Sequence, residues 1–146
     1  MGAEGPAEPS LGSLLTDVVR LMRRDFYARA SGLGLTPALA RLLFYVHRHP
    51  GARQLELAAL LDVTPVTLGR MVDRLAASGY VRRRADRADR RAVRVHLARA
   101  AAPIVARMAR ISELTNARAT RGLTQRERAA LIGLLGRLQT NLGADT

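Results

Sequence analysis

The stretch of sequence that decides the fold is Thr64–Ser78, which reads TPVTLGRMVDRLAAS. Thr64 offers a capping hydroxyl, and Pro65 follows at the first helical position, where the missing N–H of proline costs nothing. Apolar side chains then recur at the spacing of one helical face, at Leu68, Met71, Val72 and Leu75. Ser78-Gly79 ends the pattern, because glycine suits the left-handed residue after a helix. The stretch predicts a helix with one buried and one exposed face.

A shorter helix is predicted immediately before it, over Gln54–Leu61. Its inward positions are expected to be Leu55, Ala58 and Leu61. Asp62-Val63 leaves room only for a tight connection between the two helices. Two helices joined by so short a turn form a helix-turn-helix.

After Gly79 the apolar residues change from helical spacing to strict alternation. Tyr80–Arg82 and Val93–Leu97 alternate every second residue, and a polar stretch rich in Arg and Asp, Arg84–Ala92, lies between them. The pattern predicts a two-stranded β-hairpin with a basic tip.

Helical patterns flank this unit on both sides. Before it, one helix begins near Leu11 and ends at Ser31-Gly32, and a second begins at Thr36-Pro37 and ends near His49. After it comes a long helix that reaches about Arg121. The expected fold is therefore mainly α with a small β-hairpin.

The last helix is predicted to begin at a capping box, in which Thr124 and Glu127 satisfy each other's backbone N–H groups. Its apolar stripe consists of Leu131, Leu134, Leu135, Leu138 and Leu142.

The composition is that of a folded and strongly basic protein. The chain has 146 residues, 24 basic residues that are all Arg, 12 acidic residues and a formal net charge of +12. Hydrophobic residues make up 48% of the chain, which suffices for a core and rules out wholesale disorder. Eight Arg and two Asp lie between Arg82 and Arg99, so half of the excess charge lies in and beside the hairpin. That concentration favours a polyanion as partner more than net charge alone does.

Several classes of protein are excluded or disfavoured. The absence of Cys excludes disulfides, Cys-ligated zinc and iron–sulfur clusters. His47 and His49 stand two apart on a predicted helix, so they point to different faces and predict no metal site. No residue set typical of an enzyme is found, and we expect no cofactor.

The sequence is also expected to be soluble and cytoplasmic, without a membrane partner. No apolar run approaches the ~18 residues that a membrane span requires. Met1–Ser10 has neither the basic head nor the apolar stretch of an export signal.

The exposed face of the Thr64–Ser78 helix predicts a contact surface. Hydroxyl and guanidinium groups on one helix face can reach base edges and phosphates from the major groove of DNA. The residues expected to do so are Thr64, Pro65, Thr67, Arg70 and Arg74. The alternative is that Arg70 and Arg74 are ordinary solvated charges, paired with Asp73 or Glu56.

The hairpin tip predicts a second contact. An Arg at such a tip can enter the minor groove, whose narrow A·T-rich stretches concentrate negative potential. We expect Asp86 and Asp89 to pair with neighbouring Arg and to fix one tip guanidinium in a pointing direction. The alternative is a solvated charged loop without function.

Two segments resemble the winged helix-turn-helix of the MarR family of bacterial transcription regulators. The first is Val63–Leu75 followed by Gly79–Val81, and the second is Asp86–Leu97, with a spaced acidic pair, an Asp-Arg-Arg and an alternating strand. The resemblance is strongest over Leu35–Leu97, and the flanking helices extend it across nearly the whole chain.

The resemblance implies roles for these residues. The Thr64–Ser78 helix becomes the recognition helix, Arg91 enters the minor groove with Asp89 bracing it, and Arg90 lies near the DNA backbone. Arg84 of the same basic stretch completes the predicted set of DNA contacts. The resemblance further implies a homodimer that binds double-stranded DNA at a pseudo-palindromic operator and represses transcription.

The expected organisation is one intertwined domain. Residues 1–9 form a flexible tail, residues 35–99 form the DNA-binding lobe, and residues 10–34 and 100–146 form the dimerisation helices.

Three residues depart from the family pattern, and one of them, Ala98, stands where the family usually has a Thr that caps the next helix. Gly69 stands in the middle of the recognition helix, where it costs about 1 kcal/mol relative to Ala and removes a possible base contact. Pro103 stands where the next helix should already be running, so that helix is expected to begin late, near Ala101, or to be kinked.

Members of the family often bind a small aromatic or amphipathic ligand between the dimer helices and the DNA-binding lobe. The residues here that could line such a crevice are Phe26, Tyr27, Tyr45, His47 and Met108. The alternative is that they only fill the core, because aromatic residues are 3% of the chain and some must be buried as packing.

A function from a different class is an Arg-rich RNA-binding protein or an architectural DNA-binding protein without ligand control. RNA-binding proteins typically stack bases on aromatic side chains. Of the five Phe and Tyr residues here, only Tyr80 lies at the edge of the Arg cluster.

Overall fold

The computed structural model describes residues 8–143, which form six α-helices and one antiparallel β-hairpin. The helices are α1 (Leu11–Ala30), α2 (Pro37–Arg48), α3 (Gln54–Leu61), α4 (Pro65–Ala77), α5 (Ala102–Ala119) and α6 (Gln125–Gly143). The strands are β1 (Val81–Ala85) and β2 (Val93–Leu97). The expected mainly α fold with one small hairpin is confirmed. Most of the predicted tail, residues 1–7, lies outside the described range.

The predicted hydroxyl caps begin three of the helices. The Thr36 hydroxyl accepts a hydrogen bond from the Leu39 N–H at 3.3 Å, and the Thr64 hydroxyl accepts one from Thr67 at 3.1 Å. At α6 the capping box is complete, because the Thr124 N–H donates to Glu127 at 2.7 Å and the Glu127 N–H donates to Thr124 at 3.2 Å. These bonds satisfy N–H groups that the first turn of a helix leaves without a partner.

The late start predicted for the long helix is confirmed. A single 3₁₀ turn, Arg99–Ala101, precedes α5, which begins at Ala102. Pro103 therefore lies in the first turn, where its missing N–H removes no hydrogen bond, and it does not interrupt the helix.

The core lies where α2, α3, α4 and the hairpin meet. The largest fully buried side chains include Leu42, Leu43, Leu57, Leu68 and Leu75. The prediction that Leu55 points inward is wrong, since its side chain is 67% exposed and Leu57 lies inside with Ala58 and Leu61. Apolar side chains occur on nearly all sides of α3, so its periodicity did not distinguish the two faces.

The hairpin is fastened to the start of α3. Its register runs from Val81 opposite Leu97 to Ala85 opposite Val93, so the polar loop begins at Asp86 rather than at the predicted Arg84. On the outer edge of β2, the Val95 N–H donates to the Ala52 carbonyl at 3.0 Å. Within this wing, which consists of β1, β2 and the loop between them, strand β2 is therefore hydrogen-bonded on both edges.

Helices α1 and α6 differ in how they are attached to the rest of the chain. Asp25 of α1 accepts hydrogen bonds from Arg29 in the same helix and from Thr115 and Arg118 of α5, so α1 and α5 are tied together. Arg29 first, and then the two α5 partners, hold the pKa of Asp25 far below its ordinary value. In contrast, α6 buries no residue against the rest of the described chain.

Large apolar side chains remain exposed on α1 and α6. They are Leu11, Leu14, Leu15, Val18, Val19 and Leu21 on α1, and Leu131, Ile132, Leu134, Leu135 and Leu142 on α6. Within residues 8–143, no helix is both long enough and apolar enough to cross a membrane.

Candidate nucleic-acid interface and adjoining crevice

The first turn of α4 brings three of the predicted contact residues together. Thr64 caps the helix, Pro65 is its first residue, and the Thr64 hydroxyl donates to the Thr67 hydroxyl at 2.9 Å. All three side chains are exposed. The turn therefore presents two oriented hydroxyls beside an apolar ring at the positive end of the helix dipole.

The two arginines of α4 lie on its exposed side and are available for an outside partner. Among residues 8–143, neither Arg70 nor Arg74 forms an ion pair. The carboxylates that could have paired with them are engaged elsewhere: Asp73 binds Arg83, and Glu56 accepts from the backbone N–H of Arg53 at 2.7 Å. The two guanidinium groups thus keep their full hydrogen-bonding capacity.

Arg83 connects the wing to α4. Strand alternation places this residue on the face of the hairpin that carries the buried Val81 and Val95, opposite to Arg82 and Arg84. Its guanidinium donates to the Gly69 carbonyl at 3.0 Å and to the Asp73 carboxylate, and its Nε donates to Gln54 at 3.0 Å.

Gly69 supplies only its backbone carbonyl to this contact. A Cβ added at this residue would lie 3.6 Å from the amide nitrogen of Gln54, which is ordinary van der Waals contact. A side chain of one carbon would therefore fit here, so the available space does not require a glycine at this position.

The loop between β1 and β2 is built around Asp86, which is only 3% exposed. Its carboxylate accepts from the Nε atoms of Arg53 and Arg94, both at 2.9 Å, and from the backbone N–H of Ala88 at 2.9 Å. The Ala88 N–H, followed by the guanidiniums of Arg94 and Arg53, holds the pKa of the Asp86 carboxyl below its ordinary value, against the effect of burial.

The expectation for the loop carboxylates is only partly confirmed. Asp86 does pair with the neighbouring Arg94, but within residues 8–143 neither Asp86 nor Asp89 forms an ion pair with a tip guanidinium. Asp86 pairs with Arg53 and Arg94 at the start of the loop that follows β1, since those guanidiniums lie over the buried carboxylate. Asp89 accepts from the backbone N–H of Arg91 at 3.0 Å and so shapes the turn rather than the guanidinium. The exposed tip carries Arg87, Arg90 and Arg91.

His96 contributes little charge to this surface. Burial, followed by the nearby Arg84, Arg82 and Arg94, lowers the pKa of the imidazole. A lowered pKa means that the neutral form predominates at neutral pH.

A crevice of about 280 Å³ lies between α1, α2 and α5. Four of the five predicted ligand residues line it, namely Phe26, Tyr27, Tyr45 and Met108. His47 does not, and lies in an adjoining groove between α2 and α5. The Tyr27 hydroxyl donates to the Pro37 carbonyl at 3.3 Å, and burial raises the pKa of the phenol, although Arg41 and Arg23 oppose the shift.

A model of the MarR family matches residues 33–92 of the chain. The transcriptional regulator PA3341, whose crystal structure is solved, is 33% identical, with 91% of this chain and 98% of that chain covered and a TM-score of 0.79. This chain belongs to the MarR family.

Two further MarR structures extend the comparison over the whole fold. A crystal structure of MarR is 27% identical, covers 96% of this chain and 95% of its own, and has a TM-score of 0.82. A mutant MarR from E. coli complexed with operator DNA is 29% identical, covers 88% and 92%, and has a TM-score of 0.70. The hairpin is accordingly the wing of a MarR-family winged helix, and α4 is the second helix of its helix-turn-helix.

The sequence reasoning missed three residues of this MarR-family surface. Val66 is exposed beside Arg70, Arg83 joins the wing to α4, and Arg53 holds Asp86. For Val66 a signal existed, because an apolar residue off the buried stripe of an amphipathic helix needs a reason. For Arg53 and Arg83 no signal distinguished them from the other arginines of the chain.

Proposed function

We propose that this protein is a homodimeric transcriptional repressor that binds double-stranded DNA. In this proposal α4 enters the major groove and the wing tip enters the adjacent minor groove. The residues proposed to contact DNA are Thr64, Pro65, Thr67, Arg70, Arg74, Arg84, Arg90 and Arg91, and Asp89 is proposed to shape the wing tip. The observation that carries the proposal is the pair of guanidiniums on α4 without an ion-pair partner among residues 8–143, next to a wing that together with the adjacent Arg99 holds six units of the excess positive charge.

The operator-bound MarR relative supports this assignment, because its chain superposes on most of this one. Asp89 is given a shaping role in the proposal, since its bond to the Arg91 backbone turns the tip and leaves the guanidinium outward.

The exposed apolar sides of α1 and α6 support a dimer. In the proposed organisation, residues 10–34 and 100–146 interlock with a second copy, while residues 35–99 form the DNA-binding lobe. An amphipathic helix that buries nothing in its own chain is stable only if its apolar face is covered. An obligate homodimer supplies that cover, and two-fold symmetry presents two recognition helices to a pseudo-palindromic operator. We place the protein in the cytoplasm, where such an operator would lie.

We further propose that the crevice binds a small aromatic anion that releases DNA. Its walls are mostly apolar, while Arg23 and Arg41 flank Tyr27 and supply positive charge. A thermal-shift screen tests this by comparing phenolic acids with their neutral amides. We expect the phenolic acids, but not their neutral amides, to raise the melting temperature. Arg23→Ala should reduce this rise, whereas the control Arg20→Ala should leave it unchanged. If no acid both stabilises the protein and releases DNA, the ligand proposal is overturned.

Binding measured by fluorescence anisotropy tests the central proposal against an Arg-rich RNA-binding protein. The full-length chain is titrated with a duplex enriched from a random pool, a shuffled duplex and a structured RNA at physiological salt. We expect the enriched duplex to bind at least about 10³-fold more tightly than the shuffled one. Equal affinity for all three nucleic acids would contradict the proposal.

A further inference from the structure

Val66 is an apolar residue without an internal role in the fold. It is the second residue of α4, and 66% of its surface is exposed. The four apolar residues that α4 buries are Leu68, Met71, Val72 and Leu75. Val66 lies on the other side of the helix, so the core gains nothing from its methyl groups.

Arg70 lies directly beside Val66 on the helix surface. Residues four apart are separated by about 40° around the helix and about 6 Å along its axis. Val66, Arg70 and Asp73 all lie within about 30° of the direction opposite the centre of the buried stripe. Thr67 and Arg74 lie to one flank, and Gly69 lies to the other. The centre of the exposed face therefore carries an apolar group, then the guanidinium of Arg70, and then a carboxylate that Arg83 already binds.

The charge around this pair suits an anionic partner. Asp73 on the same face is bound by Arg83, which neutralises it. Arg70 forms no ion pair within residues 8–143. A partner with acceptor groups for the guanidinium and an apolar group for Val66 would match both side chains.

We propose that Val66 and Arg70 form a reading pair for thymine and guanine, with Val66 against the thymine C5 methyl and Arg70 on guanine. In the major groove the C5 methyl is an apolar group that a valine can contact, and the O6 and N7 acceptors of guanine match an arginine fork. The axial separation of about 6 Å corresponds to one or two base-pair steps of 3.4 Å. Each half-site should then contain a thymine and a guanine one or two steps apart. This proposal rests on the proposed function, in which α4 enters the major groove.

Atom-level changes in the DNA test the pair with the full-length protein. In the tightest duplex from a random pool, each thymine is replaced in turn by uracil, which lacks only the methyl group. We expect one replacement per half-site to weaken wild-type binding about fourfold, the effect of one buried methyl group. Val66→Ala should bind the thymine and uracil duplexes equally, while Val66→Thr, which keeps one methyl, should retain part of the preference.

The arginine is tested in the same way. Replacement of one guanine per half-site by 7-deazaguanine removes the N7 acceptor, and we expect wild-type affinity to fall about fivefold to tenfold. Arg70→Ala should be insensitive to that replacement. Leu55→Ala is the matched control, because it removes an apolar side chain of similar exposure from α3, and it should keep both responses.

The outcomes separate this inference from the proposed function. If no duplex binds specifically, the proposed function itself fails. If a duplex binds specifically but Val66→Ala keeps the full thymine preference, the reading pair is overturned. A change in dimer mass for Val66→Ala, with the thymine preference intact, would also overturn it, since Val66 would then contact a second copy of the chain.

Discussion

Asp86 is a buried carboxylate in a wing that is otherwise basic. Three partners from two separate parts of the chain converge on it: Arg53 before α3, Arg94 on β2 and the Ala88 N–H in the loop. Without a negative charge at this point, Arg53 and Arg94 would lie side by side unneutralised. The residue thus determines where the wing sits relative to the helix-turn-helix.

We predict that Asp86→Asn lowers the melting temperature at neutral pH. Folding lowers the pKa of this carboxyl, so its charged form stabilises the fold above the ordinary carboxyl pKa, and that stabilisation is lost as the pH falls through the lowered pKa. The difference in melting temperature between wild type and Asp86→Asn should therefore shrink in acid. Asp89→Asn is the control, because asparagine keeps the acceptor for the Arg91 N–H. A difference that does not change with pH would contradict this role.

Arg91 provides the residue-scale test of the wing tip. We predict that Arg91→Ala weakens operator binding by about 1–3 kcal/mol, mainly by loss of preference for A·T-rich flanks. The control is Arg137→Ala, which removes an exposed arginine of α6 on the side away from the leucine stripe. Fluorescence anisotropy titrations measure the affinity of each variant for operator duplexes with A·T-rich and with G·C-rich flanks. An effect of Arg91→Ala no larger than that of the control would reject the wing assignment.

At the residue scale, the exposure of a side chain was easier to predict from the sequence than its ion-pair partner. The spacing of Arg70 and Arg74 on an amphipathic helix was sufficient to place them outside. The partners of Asp86 could not be predicted, because Arg53 lies 33 positions away in the sequence and one of many arginines had to be chosen. Only the packed hairpin brings that arginine over the loop.

At the scale of elements, helix starts were predictable and helix faces less so. Thr36, Thr64 and Thr124 cap helices through local hydrogen bonds, which sequence spacing alone determines. The inward face of α3 depends on what α2 and α4 present to it, which is why Leu57 and not Leu55 is buried. A local signal predicts a boundary, whereas a face is determined by tertiary packing.

The contact between the wing and α4 yields an element-scale prediction. We expect Arg83→Ala to weaken operator binding about fivefold to tenfold, since α4 loses a bond that orients it and Asp73 loses its neutralising partner. Arg83 is not expected to touch DNA, so the slope of log K against log salt should hardly change. Arg84→Ala should instead reduce that slope by about 1, as expected for one lost phosphate contact.

Salt titrations of the two variants provide the comparison. In the double variant Arg83→Ala with Asp73→Asn, the unneutralised carboxylate is also removed. The loss of operator affinity that the double variant still shows relative to wild type therefore measures the orientation of α4 alone. Equal losses of slope for Arg83→Ala and Arg84→Ala would contradict the assignment of Arg83 as a positioning residue.

At the scale of the whole molecule, α1 and α6 expose apolar side chains that no other part of the described chain covers. Helices α2 to α5, the hairpin and the end of α1 share one buried core, while α6 buries no residue and α1 exposes most of its apolar stripe. The leucine spacing predicted an apolar face on α6, but spacing carries no information on what covers it. The proposed dimer accounts for both helices at once.

We predict that Leu134→Glu converts the dimer to a monomer. Leu134 lies in the α6 stripe and contributes nothing to the core of the chain, so the lobe should stay folded. Loss of two buried leucines, one from each copy, should weaken association about 10³-fold. Light scattering coupled to size exclusion measures the mass, and Leu55→Glu is the matched control.

A second measurement keeps the dimer testable if Leu134→Glu does not fold. The melting temperature of a wild-type dimer rises with protein concentration, because association stabilises the folded state by mass action. A monomeric mass for the wild type, or a melting temperature independent of concentration, would contradict the proposed dimer.

Footprinting of the full-length protein on its selected duplex tests the central claim most directly. A two-fold dimer with α4 in the major groove and the wing in the minor groove should protect two half-sites in a pseudo-palindrome, with centres about 10 base pairs or ~34–36 Å apart. Protection of a single half-site, or uniform protection of every duplex at physiological salt, would contradict it.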